Sequence, residues 1–534
     1  MSARARDQNL PRCDRLPVMI ALMLAVTTGV AAQDSGGWDS GVWAHYGGDA
    51  GGRRYSDLAQ VDRTNVAQLE VAWVARTGEL GEGARDGADL TFEATPVVFA
   101  DLILVTTGFS DVLALDPASG EERWRYRAAV PRERSYAEVT TRGIATWTDS
   151  SAQGAAPCRR RVYVATIDAR LLAIDAERGL ACGAFGTEGA VDLAADVGMT
   201  GNGDYQVTSP PAVVGDLVVV GSSIGDNWSA ATADGRVRAY DARSGALRWS
   251  WSPLPFQRSG DLRLGAANAW APIAADVERG LVFVPTSSPS PDFFGGLRPG
   301  DNRDANSLVA LDVASGRPRW SFQVVHHDLW DFDLGAQPTL VELQRDGGTV
   351  AAVAQATKMG LLYLLDRATG EPLHPVEERA VPTSDVPGEH AARTQPFPLR
   401  PRPLVPPEGA PSAERVWGLS ESDRQDCREL LQGARSEGPF TPPSLRGTVL
   451  WPGNSGGTRW GGIAWQPTRG LLIVPSVHLA TLVQLMPRSE MAAARRAGDG
   501  EWEYGMQGGA PFGMRRRELS SRRGVPCSPP PWGP

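Results

Sequence analysis

Leu113-Ala114-Leu115-Asp116-Pro117-Ala118-Ser119-Gly120-Glu121-Glu122-Arg123-Trp124 reads as the end of a β-strand, a tight turn and the start of a second strand. The aspartate can accept hydrogen bonds from its own downstream backbone, and the glycine can take the positive φ that such a turn needs. The phrase recurs. Ala173-Ile174-Asp175 is followed by Gly179, Arg238-Ala239-Tyr240-Asp241 by Gly245 and Trp249, Val309-Ala310-Leu311-Asp312 by Gly316 and Trp320, and Tyr363-Leu364-Leu365-Asp366 by Gly370. Successive aspartates stand 59, 66, 71 and 54 residues apart, the length of a four-stranded unit plus an insertion. One such unit cannot bury both faces of its sheet, so copies must stack, and radial closure leaves few free edges. The repeat therefore predicts an all-β chain, a β-propeller of four-stranded blades, with Trp124, Trp249 and Trp320 packed between blades. Partial copies occur near Val71-Ala72-Trp73 and Leu471-Leu472-Ile473-Val474.

The bulk properties agree with many turns and few helices: 534 residues carry 60 Gly and 41 Pro. A formal charge of −9 offers no basic stripe and excludes a nucleic-acid partner. At the N-terminus, Arg4, Arg6, Arg12 and Arg15 precede the apolar run Val18–Val26, and Val30-Ala31-Ala32 supplies small residues for cleavage. Residues 1–32 thus read as an export signal, which places the mature protein, 33–534, in the periplasm. Of five cysteines, Cys13 lies in that signal. Cys158 and Cys182 flank a predicted strand pair and could join in an oxidising compartment, with pairing to Cys427 or Cys527 equally open. No C-x-x-C-H haem-attachment motif is present. A Pro-rich insertion covers roughly 371–443, and Trp417–Arg435 within it has the spacing of a short surface helix, with Ser420 or Ser422 as cap.

The chemistry is concentrated in Val325-His326-His327-Asp328-Leu329-Trp330-Asp331-Phe332-Asp333-Leu334. Three carboxylates and two histidines within eight residues are costly to bury unpaired, so the stretch is either a solvated loop or faces a polar pocket with partners.

Several motifs, in order, make the chain similar to the pyrroloquinoline-quinone (PQQ) dependent dehydrogenases, nearest to the membrane-linked glucose dehydrogenase branch. They are Trp43-Ala44-His45-Tyr46-Gly47-Gly48-Asp49, Phe92-Glu93-Ala94-Thr95-Pro96, Thr141-Arg142-Gly143, Asn268-Ala269-Trp270-Ala271-Pro272, His326–Asp333, Thr357-Lys358-Met359-Gly360 and Trp451-Pro452-Gly453-Asn454. The resemblance implies an eight-bladed propeller with the cofactor on its axis. By the same resemblance Asp331 is the catalytic base, and Lys358 is a catalytic and cofactor-binding cation at the quinone oxygens. Arg142 pairs a cofactor oxygen, Trp270 is the floor under its ring, and Glu93 is a carboxylate near it. A calcium ion, another divalent ion or a lanthanide is implied as second cofactor, with Asp331, Asp333 and Ser288 as its oxygen ligands. Ser288 stands where many relatives have Asn, and Glu138 where glucose-oxidising relatives often have His. Thr140 and Thr141 replace the vicinal cysteines of the methanol-oxidising branch. Cys527-Ser528-Pro529-Pro530-Pro531-Trp532-Gly533 resembles the lead-in to another blade, so the resemblance also implies an incomplete, C-terminally truncated ring.

The function implied is oxidation of a sugar or other alcohol by hydride transfer to PQQ. Electrons would pass to a quinone or a separate cytochrome, with peripheral membrane association possible. The alternatives are a non-catalytic propeller that binds or scaffolds in the cell envelope and an inactive truncated relative. A scaffold has no need for Arg142, Trp270, Asp331 and Lys358 to converge, which makes their placement the discriminating observation.

Overall fold

The computed structural model describes residues 43–79, 90–198, 204–254, 257–259, 262–264, 267–345, 347–498 and 500–534. The export signal expected at 1–32 lies outside them. Four antiparallel four-stranded sheets follow one another in chain order. The first comprises Val97–Phe99, Leu102–Thr106, Val112–Leu115 and Glu122–Tyr126. The second begins at Ala145–Thr148, the third at Ala212–Val214 and the fourth at Ala274–Asp276. A three-stranded sheet beginning at Thr339–Arg345 comes next, and Ala464–Gln466 and Leu471–Ile473 then form a hairpin. From the second sheet onward, the first strand of each packs beside the first strand of the next, as far as this hairpin. That is the radial arrangement of propeller blades, in agreement with the repeat. A further sheet pairs Thr448–Leu450, Thr481–Pro487, Phe512–Glu518 and Glu503–Gly505 in that order, and its strands bracket the hairpin in sequence.

The repeated phrase makes the joint between blades. Asp116 Oδ1 accepts from the backbone of Ala118 and Ser119, and Gly120 has φ +72°. In the first, third and fourth sheets an indole of the last strand slides under the next blade's turn. Trp124 Nε1 donates to Ala176 O at 3.1 Å, Trp249 Nε1 to Val313 O at 2.7 Å and Trp320 Nε1 to Arg367 O at 2.9 Å. Trp73, outside any strand, does the same under the first turn, at 3.1 Å from Pro117 O. The turn glycines are required twice over, by positive φ and by the close approach of the ring: a Cβ on Gly316 would lie 2.5 Å from Trp249. The copy ending at Gly179 has no following Trp. There the backbone substitutes, Gly186 N–H donating to Ser244 O at 2.8 Å.

Residues 43–54 form a strap that ties distant blades together. Trp43 O accepts from Val98 N, Ala50 O from Ala275 N, Gly51 O from Leu340 N and Arg53 O from Trp465 N, all at 2.8 Å. Within the Pro-rich stretch, Val376–Ala380 and Thr394–Pro398 form a hairpin, followed by helix α1, Glu421–Leu431. Ser420 caps α1 in a reciprocal box with Asp423. The helix lies less on the surface than its spacing suggested, because Asp423, Asp426, Cys427 and Leu431 are buried. Cys427 is bonded to Cys527 across 100 residues, and Cys158 to Cys182 across 24, which settles the pairing left open by the sequence. Helix α2, Arg488–Ala497, was not foreseen, since its N-cap Pro487 offers no side-chain cap.

Replacing Gly316 by Ala forces both positive-φ strain and collision with Trp249, an overpacking that costs about 1–3 kcal/mol. Gly280→Ala, at φ +62° with open space around its Cβ, carries the strain alone. Calorimetric melting at one scan rate should place Gly316→Ala clearly below Gly280→Ala; equal shifts would remove the indole from the joint.

Candidate active site

The acidic stretch folds as an alternation. Trp330 and Phe332 are fully buried and packed with Phe440, and Trp330 Nε1 donates to Thr441 O at 2.8 Å. Anchoring these rings turns Asp331 and Asp333 the other way, toward Lys358. The backbone bends sharply to achieve this: His327 and Asp331 sit at φ 45° and 59°, a left-handed region that costs a non-glycine residue on the order of 1–3 kcal/mol. His327 is locked there by Gly300 O at 2.7 Å on Nδ1 and Glu389 Oε1 at 3.1 Å on Nε2. The stretch is therefore buried and partnered rather than a solvated loop.

Lys358 organises the site. Its Nζ lies 2.9 Å from Asp331 O, 3.0 Å from Asp331 Oδ1 and 2.8 Å from Asp333 Oδ2. Asp333 also accepts from Trp270 Nε1 at 3.1 Å and Ser288 N at 2.7 Å. Burial alone would raise Asp333, but Lys358 and the Ser288 backbone N–H hold it below the usual carboxylate range. Asp331 behaves oppositely. Burial pushes it up to about 6, with Asp333 adding to the rise and Lys358 and Arg516 pulling against it. The dyad thus pairs one carboxylate kept charged with one that exchanges a proton near neutrality. Lys358 is held protonated by the two carboxylates despite its burial.

Over Trp270 the Arg142 guanidinium lies 5.1 Å from the ring centroid and Lys358 Nζ 5.9 Å. Arg142 Nη1 donates to Thr208 Oγ1 at 2.6 Å, and its Nε lies 2.9 Å from Glu93 Oε2 without the alignment of a hydrogen bond. Glu138, the residue in place of His, takes Arg142 Nη2 at 3.1 Å. An indole face edged by a guanidinium and an ammonium, with buried polar atoms of Arg142, Glu93 and Thr140 lacking hydrogen bonds, suits a flat ligand rich in carbonyl and carboxylate oxygens. All seven residues singled out from the sequence, Glu93, Arg142, Trp270, Ser288, Asp331, Asp333 and Lys358, fall in one connected set.

Ser288 enters it differently from expectation. Its hydroxyl donates to Asp328 Oδ2 at 2.5 Å and accepts from Asn306 Nδ2 at 3.1 Å, so what reaches Asp333 is the backbone N–H. Four residues were missed. Asp226 is half-buried and Asp292 fully buried, and both have pKa values pushed well up by desolvation and by neighbouring carboxylates, Asp333 and Asp331 for the first and Asp226 and Asp331 for the second. Asn454 Nδ2 and Arg516 Nη1 donate to Asp331 Oδ2 at 3.2 and 2.9 Å. Only Asn454 lay within a quoted motif. Were all four aspartates ionised around Lys358 and Arg516 they would leave a surplus of negative charge, and Asp292 Oδ1 and Asn227 Oδ1 have no hydrogen-bond partner. That all-oxygen surplus fits a hard cation in charge and donor type. Among the described residues no three His, Cys, Asp or Glu side chains already converge as a cage.

A ring of blades with an indole, two cations and an acidic dyad converging in one site is the architecture of the cofactor-binding propellers. Within that class, the family described as PQQ: Glucose/ethanol/alcohol dehydrogenase, beta-propeller domain, matches residues 43–534, and the chain belongs to it. It is 36% identical over 510 residues to the quinoprotein glucose dehydrogenase of Escherichia coli, covering 92% of this chain and 63% of that protein. It is 34% identical over 520 residues to the quinate/shikimate dehydrogenase (quinone) of Acinetobacter baylyi, with the same coverages. The quinohemoprotein alcohol dehydrogenase of Comamonas testosteroni shares the fold at TM-score 0.63 and 22% identity, over 92% of this chain and 64% of that one. The chain therefore spans about 63% of the length of these two curated relatives.

Removing one partner of a buried ion pair costs about 3–5 kcal/mol. Lys358→Met should therefore lower the melting temperature of the cofactor-free protein strongly at pH 7.5. Without the cation both carboxylates titrate above their unfolded values, so the lost stability is present below about pH 4 and disappears as pH rises through the raised values. Melting the variant from pH 4.5 to 8 should show the deficit growing with pH; a pH-independent deficit would contradict the pairing.

Proposed function

We propose that this protein is a periplasmic quinoprotein dehydrogenase that oxidises a sugar or other alcohol. The observation that carries this reading is the bridge of Lys358 between Asp331 and Asp333, beside the Trp270 face. PQQ, when bound, supplies the hydride-accepting carbonyl. Trp270 would support its ring, and Arg142 would hold its oxygens through a fork of donors. Lys358 would face the oxygen on which negative charge develops. Asp331 would take the proton of the substrate hydroxyl, for which a carboxylate titrating near neutrality is matched. Asp333, ionised and thrice hydrogen-bonded, keeps Lys358 charged and aimed. A calcium ion, another divalent ion or a lanthanide would be held by oxygens of Asp331 and Asp333 with Asp226 and Asp292, neutralising the surplus charge.

Electrons would leave to a quinone or a separate cytochrome. The arginine-led apolar segment at 1–32 supports export. No helix among the described residues is long and apolar enough to cross a membrane.

The test is reconstitution with PQQ and calcium, then with PQQ and a lanthanide, followed by dye reduction over glucose, glycerol, quinate and ethanol. At least one substrate should turn over. Asp331→Asn should cut turnover by about 10²–10⁴-fold, the contribution of a general base, while leaving PQQ affinity nearly unchanged. Wild-type PQQ binding without turnover of any substrate would favour the inactive-relative alternative, and no PQQ binding at all would favour the scaffold.

A further inference from the structure

A cleft of about 310 Å³ beside Asp331 has no part in the roles above. Its size is at the lower end of small-molecule sites. Asn454 and Arg516, which line it, both hold Asp331 Oδ2, so the cleft adjoins the carboxylate oxygen that Lys358 does not bind. Arg516 is shared. While Nη1 reaches Asp331, Nε and Nη2 make a two-point pair with Glu503 at 2.8 and 2.7 Å. The Glu503 side chain is 63% exposed and that of Arg516 only 16%, so the pair spans the cleft from solvent to base. Arg517 is likewise paired, with Glu501 at 2.5 Å, and Trp502 is braced by Arg515 and Arg517 at 4.2 and 5.6 Å.

We propose that this cleft is the substrate subsite, and that Trp502, Glu503 and Arg516 select a neutral polyhydroxylated ring over a carboxylated ring or a short monohydric alcohol. The inference rests on the dehydrogenase reading and names its substrate class. Both arginines lining the cleft already face a carboxylate, and Glu518 adds a further acid, so a substrate carboxylate meets repulsion rather than a free cation. Two neighbouring hydroxyls can instead bridge the existing pair. One donates to Glu503 and the other accepts from Arg516, so neither charge is stranded. The Trp502 indole offers an apolar face to the C–H side of such a ring. A monohydric alcohol has no second hydroxyl for this exchange.

Saturation-transfer NMR on the chain loaded with PQQ and calcium measures binding independently of turnover, with glucose, quinate and ethanol as probes. Glucose should bind at least about ten-fold more tightly than either of the others, the worth of one hydrogen bond to a charged group. Glu503→Gln and Trp502→Ala should weaken glucose by a similar factor with PQQ absorbance and melting temperature retained, and Trp502→Phe should restore it. If Trp502→Ala fails to fold, Glu503→Gln and Trp502→Phe decide. Quinate binding as well as glucose, no glucose binding, or glucose binding indifferent to Glu503→Gln would overturn the assignment. Glucose binding in the expected pattern without dye reduction would instead count against the dehydrogenase reading and leave the subsite standing.

Discussion

Most blades are registered on the next by an indole wedged beneath a five-residue turn, and the second by a backbone hydrogen bond in its place. The indole contact combines a directional hydrogen bond from Nε1 with the loss of any side chain at the turn's glycine, so it fixes both the separation and the tilt of adjacent sheets. The site depends on that precision. Arg142 follows the first blade, Trp270 leads into the fourth, and Lys358 follows the second strand of the fifth sheet. Their mutual distances are set by the joints between sheets rather than by any local segment.

The electrostatics show what such a frame can hold. Lys358 is buried with two carboxylates and Arg516 with one more contact to the same dyad, an arrangement that would be unstable on a mobile loop. Two left-handed non-glycine residues within one short stretch, His327 and Asp331, are maintained by rings packed behind them and by the Gly300–His327–Glu389 chain of hydrogen bonds. Glu389 belongs to the Pro-rich stretch, which therefore braces the catalytic segment and does more than decorate the rim.

Local chemistry was legible in the sequence and long-range chemistry was not. The Asp116-to-Gly120 turn could be read because its hydrogen bonds close within five residues, and the Ser420 cap for the same reason. The convergence of Asp331, Lys358, Trp270 and Arg142 came from motif resemblance, not from spacing. Arg516 illustrates the limit. It sits in the run Arg515-Arg516-Arg517, where three identical letters hide a period of two: the outer pair brackets Trp502 and the middle one reaches Asp331. Only the strand's orientation distinguishes them. Ser288 shows a different limit, since its side chain suggested a ligand while its backbone amide makes the contact with Asp333.

The strap at residues 43–54 has a consequence for biogenesis. Its carbonyls are satisfied by Val98, Ala275, Leu340 and finally Trp465, so a segment near the start of the chain has a partner more than four hundred positions downstream. Blades can form one after another as they emerge, but the knot that binds them is tied last. Completing the strap is therefore a long-range step of the kind that slows folding, and a chain released before residue 465 would lack the tie from Arg53 while keeping the partners of Trp43, Ala50 and Gly51.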